Sequence, residues 1–120
     1  MPYLAAAIQM SAGSDKPANL ERAERLVRVA VSHGAVLIVL PETFNWRGKR
    51  GEEATAAETI EGESLAVMVR LASELKVHIV AGSITERIEG EEKTYNTSVI
   101  PVVRPSDYNS HRICSESTLK

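Results

Sequence analysis

The sequence has few of the residues that define disulfide-rich, nucleic-acid-binding or membrane-spanning proteins. It contains a single cysteine, Cys114, among 120 residues, and one cysteine cannot form an internal disulfide, which favours a reducing compartment. The formal net charge is -2, which gives no reason to expect nucleic acid or an acidic membrane as a partner. No apolar run approaches the roughly 20 residues of a membrane helix. We therefore expect a cytoplasmic protein that binds neither nucleic acid nor membrane.

Motifs for metals and cofactors are also missing. His33, His78 and His111 lack the spacing of metal ligands, and His78 within VHIVAG is interpreted as a packed strand residue. Neither phosphate fingerprint, GxGxxG or GxxxxGK[ST], is present, which argues against a nucleotide-binding α/β domain. Residues 46–51 (WRGKRG) mix basic and aromatic side chains, but the rest of the chain is not basic, so we interpret them as a solvated active-site loop. The sequence predicts no cofactor and no metal.

What is present is the composition and the patterning of one globular α/β domain, with 43 % hydrophobic and 25 % charged residues. Compact apolar runs predict strands, and apolar residues at helical spacing predict helices. The predicted strands are Leu4–Met10, Val36–Leu40, Val77–Gly82 and Tyr95–Val103, with one helix between Pro17 and Gly34 and another between Gly62 and Leu75. Residues 44–57 read as a long loop. The order β-α-β-loop-α-β-β predicts an α/β fold with a mixed sheet.

The character of the chain changes after Arg104. Residues 105–120 (PSDYNSHRICSESTLK) are polar and show no convincing period of a helix or a strand. We interpret them as a divergent, flexible tail that follows a domain portion of residues 1–104.

Glu42 is the candidate for chemistry, because it follows a buried strand and Pro41 directly. In open α/β sheets, ligands bind at the C-terminal ends of the strands. A partly desolvated carboxylate at that edge can act as a general base. The alternative is that Glu42 caps a turn or pairs with Arg47 or Lys49, and the local pattern alone favours this structural interpretation.

Four sequence segments, in this order, favour the catalytic role of Glu42 over the structural one: AAIQM near the start, a helix ending in GA, then VLPETF, and later VAGSITE followed by TYNTSVI. Together, over about Leu4 to Ile100, they resemble the N-terminal half of nitrilase-type carbon–nitrogen hydrolases. The resemblance implies a four-layer α-β-β-α sandwich and a Glu–Lys–Cys triad that hydrolyses a small amide or nitrile. In such a triad the cysteine attacks, the lysine stabilises the oxyanion and the glutamate moves protons. Glu42 matches the glutamate through VLPETF; Phe44, Tyr95 and Asn96 would line or support the pocket.

The other two triad residues do not carry over. Ile113 stands where the family's lysine is expected, Lys120 lies too far along, and the family's cysteine comes some thirty residues later, so Cys114 is not its counterpart. We therefore expect no turnover from this chain alone. The alternative function is a catalytically inactive fragment that only binds or associates with a longer homologue. Because the strands are apolar on both faces and two helices cover only one, we also expect self-association or a homo-oligomer.

Overall fold

Six strands and three helices form the part of the chain that a computed structural model describes, residues 2–103 and 108–115, with side chains over residues 2–101. In chain order they are β1 (Leu4–Ala7), α1 (Lys16–Ser32), β2 (Ala35–Val39), α2 (Glu53–Ala56), α3 (Glu63–Leu75), β3 (His78–Val80), β4 (Ile84–Arg87), β5 (Thr94–Val103) and β6 (Tyr108–Ser115). The α/β class is as predicted.

The first three strands form a parallel sheet in the order β1-β2-β3. Adjacent rows of this sheet face opposite sides, because side chains alternate along a strand. One row, Ala6, Ile38 and Ile79, joins the core that α1 and α3 cover. The next row, Ala7, Val39 and Val80, is exposed or half-buried. The two helices therefore cover one face of the sheet, and the other face is open.

Local sequence signals fix the ends of α1. The Asp15 side chain accepts a hydrogen bond from the N–H of Ala18, and Pro17 lies in the first turn, where its missing N–H costs nothing. Gly34, with φ of 95°, follows the helix and donates its N–H to the carbonyl of Val31. This left-handed position is the helix stop that the sequence predicts.

The remaining strands form an antiparallel sheet in the order β4-β5-β6, so the chain contains both kinds of strand pairing, as predicted. The N–H of Ala81 donates to the carbonyl of Val99 at 2.9 Å and joins the end of the parallel sheet to β5. Pro101 lies beyond Thr97, the last β5 residue paired with β4, so it removes no hydrogen bond from that ladder.

Three elements differ from the prediction. The run Val77–Gly82 ends as a strand at Val80, because Gly82 turns the chain with φ of 42°, and Ile84–Arg87 is a separate strand. The predicted loop contains the short helix α2. Tyr108–Ser115 pairs with β5, so the expectation of an irregular tail is wrong for those residues. The strand β6 forms because its backbone is hydrogen-bonded to β5, and the periodicity of a sequence does not report such pairing. The division into a domain portion and a tail stays a prediction, and residues 104–107 and 116–120 lie outside the described residues.

Several large apolar side chains near the parallel sheet are exposed to solvent. On or beside β1 and β2, Tyr3 is 72 %, Leu4 49 %, Val36 44 % and Val39 37 % exposed. His78 is also exposed rather than packed, because its row in the sheet belongs to the open face. Among the described helices, none has the length and apolar character to cross a membrane.

Candidate functional site

Glu42 lies just beyond the C-terminal end of β2, at the edge of the parallel sheet where the sequence predicts a site. It lines two depressions. We call the first, beside Val39, Val80 and Asn96, the sheet cleft, of about 350 Å3. We call the second, between Met10, Phe44 and Arg47, the loop cleft, of about 370 Å3. Glu42 is thus the shared wall of two clefts at the strand ends.

The turn between β3 and β4 fixes the backbone around Glu42. Gly82 lies so close to it that an added Cβ would stand 1.9 Å from the carbonyl oxygen of Pro41. The next residue, Ser83, accepts a hydrogen bond through its hydroxyl oxygen from the N–H of Thr43 at 3.0 Å. Thr43 has φ of 47°, a conformation that non-glycine residues rarely adopt. These contacts lie on both sides of Glu42, and the unfavourable φ is that of Thr43, the residue directly after it.

Asn96 is the one predicted supporting residue that the structure brings to the Glu42 carboxylate. Its Nδ2 donates to Oε1 of Glu42 at 2.8 Å. Tyr95, the neighbour on β5, projects to the opposite side of the strand and donates its hydroxyl to Glu91 at 2.5 Å. Phe44 is fully buried in the core and also contributes to the loop cleft.

The surroundings of Glu42 differ from the sequence expectation in one respect. The side chain is exposed rather than partly desolvated, because the open sheet face forms one side of its cleft. Among the described side chains, Glu42 forms no ion pair within 4 Å with Arg47 or Lys49. The carboxylate is therefore not neutralised by the ion pair with Arg47 or Lys49 that the structural interpretation expects.

A buried polar network lies beneath the same loop and centres on Glu58, which is 9 % exposed. Lys16 at the start of α1 pairs with its Oε2 at 3.0 Å, and Asn45 donates to that oxygen at 2.9 Å. Both the hydroxyl and the N–H of Ser64 donate to Glu58. Asn19 extends the network by donating to the carbonyl of Asn45 at 2.9 Å. The loop after Glu42 is thereby tied to α1 and α3.

Burial and hydrogen bonding act in opposite directions on the pKa of Glu58. Burial acts to raise it, and this is the largest single influence, but the hydrogen bonds from Ser64 and the hydrogen bond and charge of Lys16 together lower the pKa below its ordinary value. The network therefore holds Glu58 in its ionised form.

Sequence reasoning missed Glu58, Gly82 and Ser83 as positioning residues. Gly82 and Ser83 belong to VAGSITE, but the sequence gives no measure of how closely Gly82 approaches Pro41. Glu58 carried no signal, because its partners lie 13 or more residues away along the chain except for Ser64. Among residues 2–101, no group of three His, Cys, Asp or Glu side chains is placed to hold a metal ion.

Gly82→Ala tests the close approach to Pro41. We expect it to lower the free energy of unfolding by about 3 kcal/mol or more, because it combines an unfavourable φ with a clash against backbone. Gly90→Ala is the matched control: Gly90 has φ of 84°, but nothing lies within 4 Å of its added Cβ, so it should cost only about 1 kcal/mol. Chemical denaturation measures both, and equal losses would contradict the contact.

Glu58→Gln tests the buried network. We expect a loss of about 3 kcal/mol near neutral pH, since it leaves Lys16 without its counter-ion. Because the pKa of Glu58 is lowered by folding, its contribution is present above the unfolded-state value and is lost as pH falls through the folded-state value. The gap in stability between the original chain and the variant should therefore shrink in acid. Glu24→Gln, at an exposed ion pair with Arg70, should cost under about 1 kcal/mol. A gap that widens in acid would contradict the lowered pKa of Glu58.

Comparison with known proteins places this geometry in a family. A family model described as carbon-nitrogen hydrolase matches residues 4–101. A deaminated glutathione amidase from Synechocystis is 37 % identical over 100 residues, covering 82 % of this chain and 37 % of that protein. The omega-amidase NIT2 of Danio rerio is 40 % identical over 92 residues, covering 77 % and 32 %. The chain thus spans about a third of the length of these curated relatives.

Solved structures agree with this assignment. Saccharomyces cerevisiae Nit3, of the nitrilase superfamily, superimposes with a TM-score of 0.72 at 29 % identity, covering 88 % of this chain and 41 % of that one. The NitFhit protein of C. elegans has a TM-score of 0.74 at 20 % identity, covering 90 % and 26 %, which supports the fold alone. The fold is α/β of the α-β-β-α sandwich type, as the resemblance implied. With both sequence and fold in agreement, this chain belongs to the carbon–nitrogen hydrolase family.

Proposed function

We propose that residues 4–101 form the part of an amidase-type carbon–nitrogen hydrolase that supplies its general base, Glu42. The observation that carries the proposal is the placement of an unpaired, Asn96-oriented carboxylate in two clefts at the strand ends. Two of the matching relatives are named amidases: one is a deaminated glutathione amidase and the other an omega-amidase. A small amide is therefore the favoured substrate class, with a nitrile as the other class open to this family.

The chemistry assigned to Glu42 follows from its contacts. Asn96 donates to Oε1, which orients the carboxylate and leaves Oε2 to accept a proton. The backbone on either side of Glu42 is fixed, which limits the conformational entropy lost when the carboxylate aligns with the group whose proton it accepts. The nucleophilic cysteine and the oxyanion-stabilising lysine of the triad are not supplied by residues 4–101, so the complete reaction needs both from elsewhere.

A hybrid enzyme tests the role of Glu42. Residues 4–101 of this chain would replace the matching segment of the Synechocystis deaminated glutathione amidase, and release of the carboxylate product would be followed. We expect the hybrid to hydrolyse its amide and Glu42→Gln to lower kcat by about 100-fold or more, the usual contribution of a general base.

The control in the hybrid is Glu89→Gln, which changes an exposed carboxylate in the turn between β4 and β5. It should leave kcat unchanged. A folded hybrid in which Glu42→Gln retains full activity would refute the assignment of Glu42 as the base.

The second candidate function is a catalytically inactive chain that acts by association. The open face of the parallel sheet favours it, because Val39 is 37 % exposed there and the neighbouring Val80 is only half-buried. Exposed apolar patches of this kind mark protein association. The occupant would be a second copy of the chain or a longer homologue.

Val39→Lys tests association through that face. We expect sedimentation velocity to show oligomers for the original chain and a shift toward monomer for the variant, because a charge cannot be buried in the contact without a large cost. Val29→Lys is the control, since Val29 is 48 % exposed but lies on α1, away from the open face. A monodisperse monomer for the original chain would contradict this candidate.

A further inference from the structure

A third depression lies beside the loop that follows Glu42 and does not include that carboxylate. Its volume of about 530 Å3 is within the range of sites that hold small molecules. It shares no lining residue with the sheet cleft or the loop cleft. We call it the Trp46 cleft, and the residues of its wall that matter below are Asp15, Lys16, Pro17, Trp46 and Thr55.

The aromatic wall of this cleft is held in place by its own loop. Trp46 is half-buried, and the backbone of Gly48 lies so close to its six-membered ring that there is no room for a Cβ at that glycine. On either side of Trp46, Asn45 donates to the buried Glu58, and the N–H of Arg47 donates to the carbonyl of Gly13 at 2.8 Å. The indole is therefore presented on an anchored backbone, and little ordering is required when a ligand binds.

The charges around the cleft leave one carboxylate uncompensated. Lys16 is already balanced, because its Nζ pairs with Glu58 at 3.0 Å and donates to the carbonyl of Ala56 at 2.9 Å. Asp15 caps α1 through Oδ1, which accepts the N–H of Ala18, but within residues 2–101 it forms no ion pair within 4 Å. The partial positive charge of the helix end is only about half an elementary charge, so the carboxylate outweighs it.

An indole wall and a carboxylate in one cleft match a particular ligand chemistry. The negative face of an indole attracts a cation, most of all a quaternary ammonium, which is large and apolar at its surface. The carboxylate adds a Coulombic attraction that a neutral molecule of the same shape does not receive. The side chain of Pro17 supplies further apolar contact for the methyl groups of such a ligand.

We propose that the Trp46 cleft is a second binding site that takes a small organic cation of the ammonium type, with Trp46 against the methyl groups and Asp15 facing the charge. The site is independent of the amide chemistry assigned to Glu42, because the two share no residue. Its ligand would bind beside the same loop without entering either cleft of Glu42.

Two matched probes test the proposal on the chain itself. Choline carries a trimethylammonium group, and 3,3-dimethylbutanol is a neutral alcohol of the same shape in which a carbon atom replaces the nitrogen. Trp46 is the single tryptophan of the sequence, so intrinsic fluorescence reports on the cleft directly. Backbone amide shifts of Lys16 and Thr55 give a second signal. We expect choline to bind about 3-fold or more tightly than the alcohol at low salt.

Asp15→Asn should reduce this preference while α1 stays capped, because asparagine caps a helix as well as aspartate does. Glu21→Gln is the matched control: it removes an exposed carboxylate of α1 that does not line the cleft, and it should keep the preference. Trp46→Leu, followed by the amide shifts, should also lose it, because leucine is apolar but has no aromatic face.

Four outcomes would overturn the proposal. They are equal binding of choline and the alcohol to the original chain, no change in either signal with choline, a full preference for choline in Asp15→Asn or Trp46→Leu, and an equal fall in Glu21→Gln. Because Asp15→Asn preserves the cap, its result remains informative even if Trp46→Leu fails to fold.

Discussion

The close approach of Gly82 to the carbonyl of Pro41 is the contact on which the geometry of the site depends. Only a glycine permits it, because a Cβ there would stand 1.9 Å from the Pro41 oxygen. It brings the end of β3 against the residue that precedes Glu42, and Ser83 then accepts the N–H of Thr43 on the other side. The backbone on both sides of Glu42 is therefore held by the turn between β3 and β4.

The buried network supports the same loop from below. Glu58 forms an ion pair with Lys16 and accepts hydrogen bonds from Asn45 and Ser64, and these three residues lie in separate segments. A buried charge without these partners would cost several kcal/mol, so the loop has one favourable arrangement over the helices. The turn of Gly82 and Ser83 holds the backbone beside Glu42, and the Glu58 network holds the same loop through Asn45.

Much of this could be predicted from the sequence, and the reasons for the gaps are physical. The run VLIVL and its position before Pro41 were enough to place Glu42 at a strand end, and Asp15, Pro17 and Gly34 were enough to bound α1. These signals are local. The contact of Gly82 with Pro41 and the pairing of Lys16 with Glu58 join residues about 40 positions apart, and β6 exists through its pairing with β5. Such features depend on tertiary packing, which periodicity and motif spacing do not encode.

Glu42 is exposed because the open sheet face forms one side of its cleft: Val39 and Val80, on that face, line the sheet cleft beside the carboxylate. Glu42 lies in a loop that is held rigid despite this exposure, and amide hydrogen exchange at Thr43 tests that rigidity most directly. We expect slow exchange for the N–H of Thr43 relative to the exposed loop residue Arg50, and loss of that protection in Ser83→Ala while the core strands remain protected. Exchange of Thr43 as fast as that of Arg50 in the original chain would contradict it.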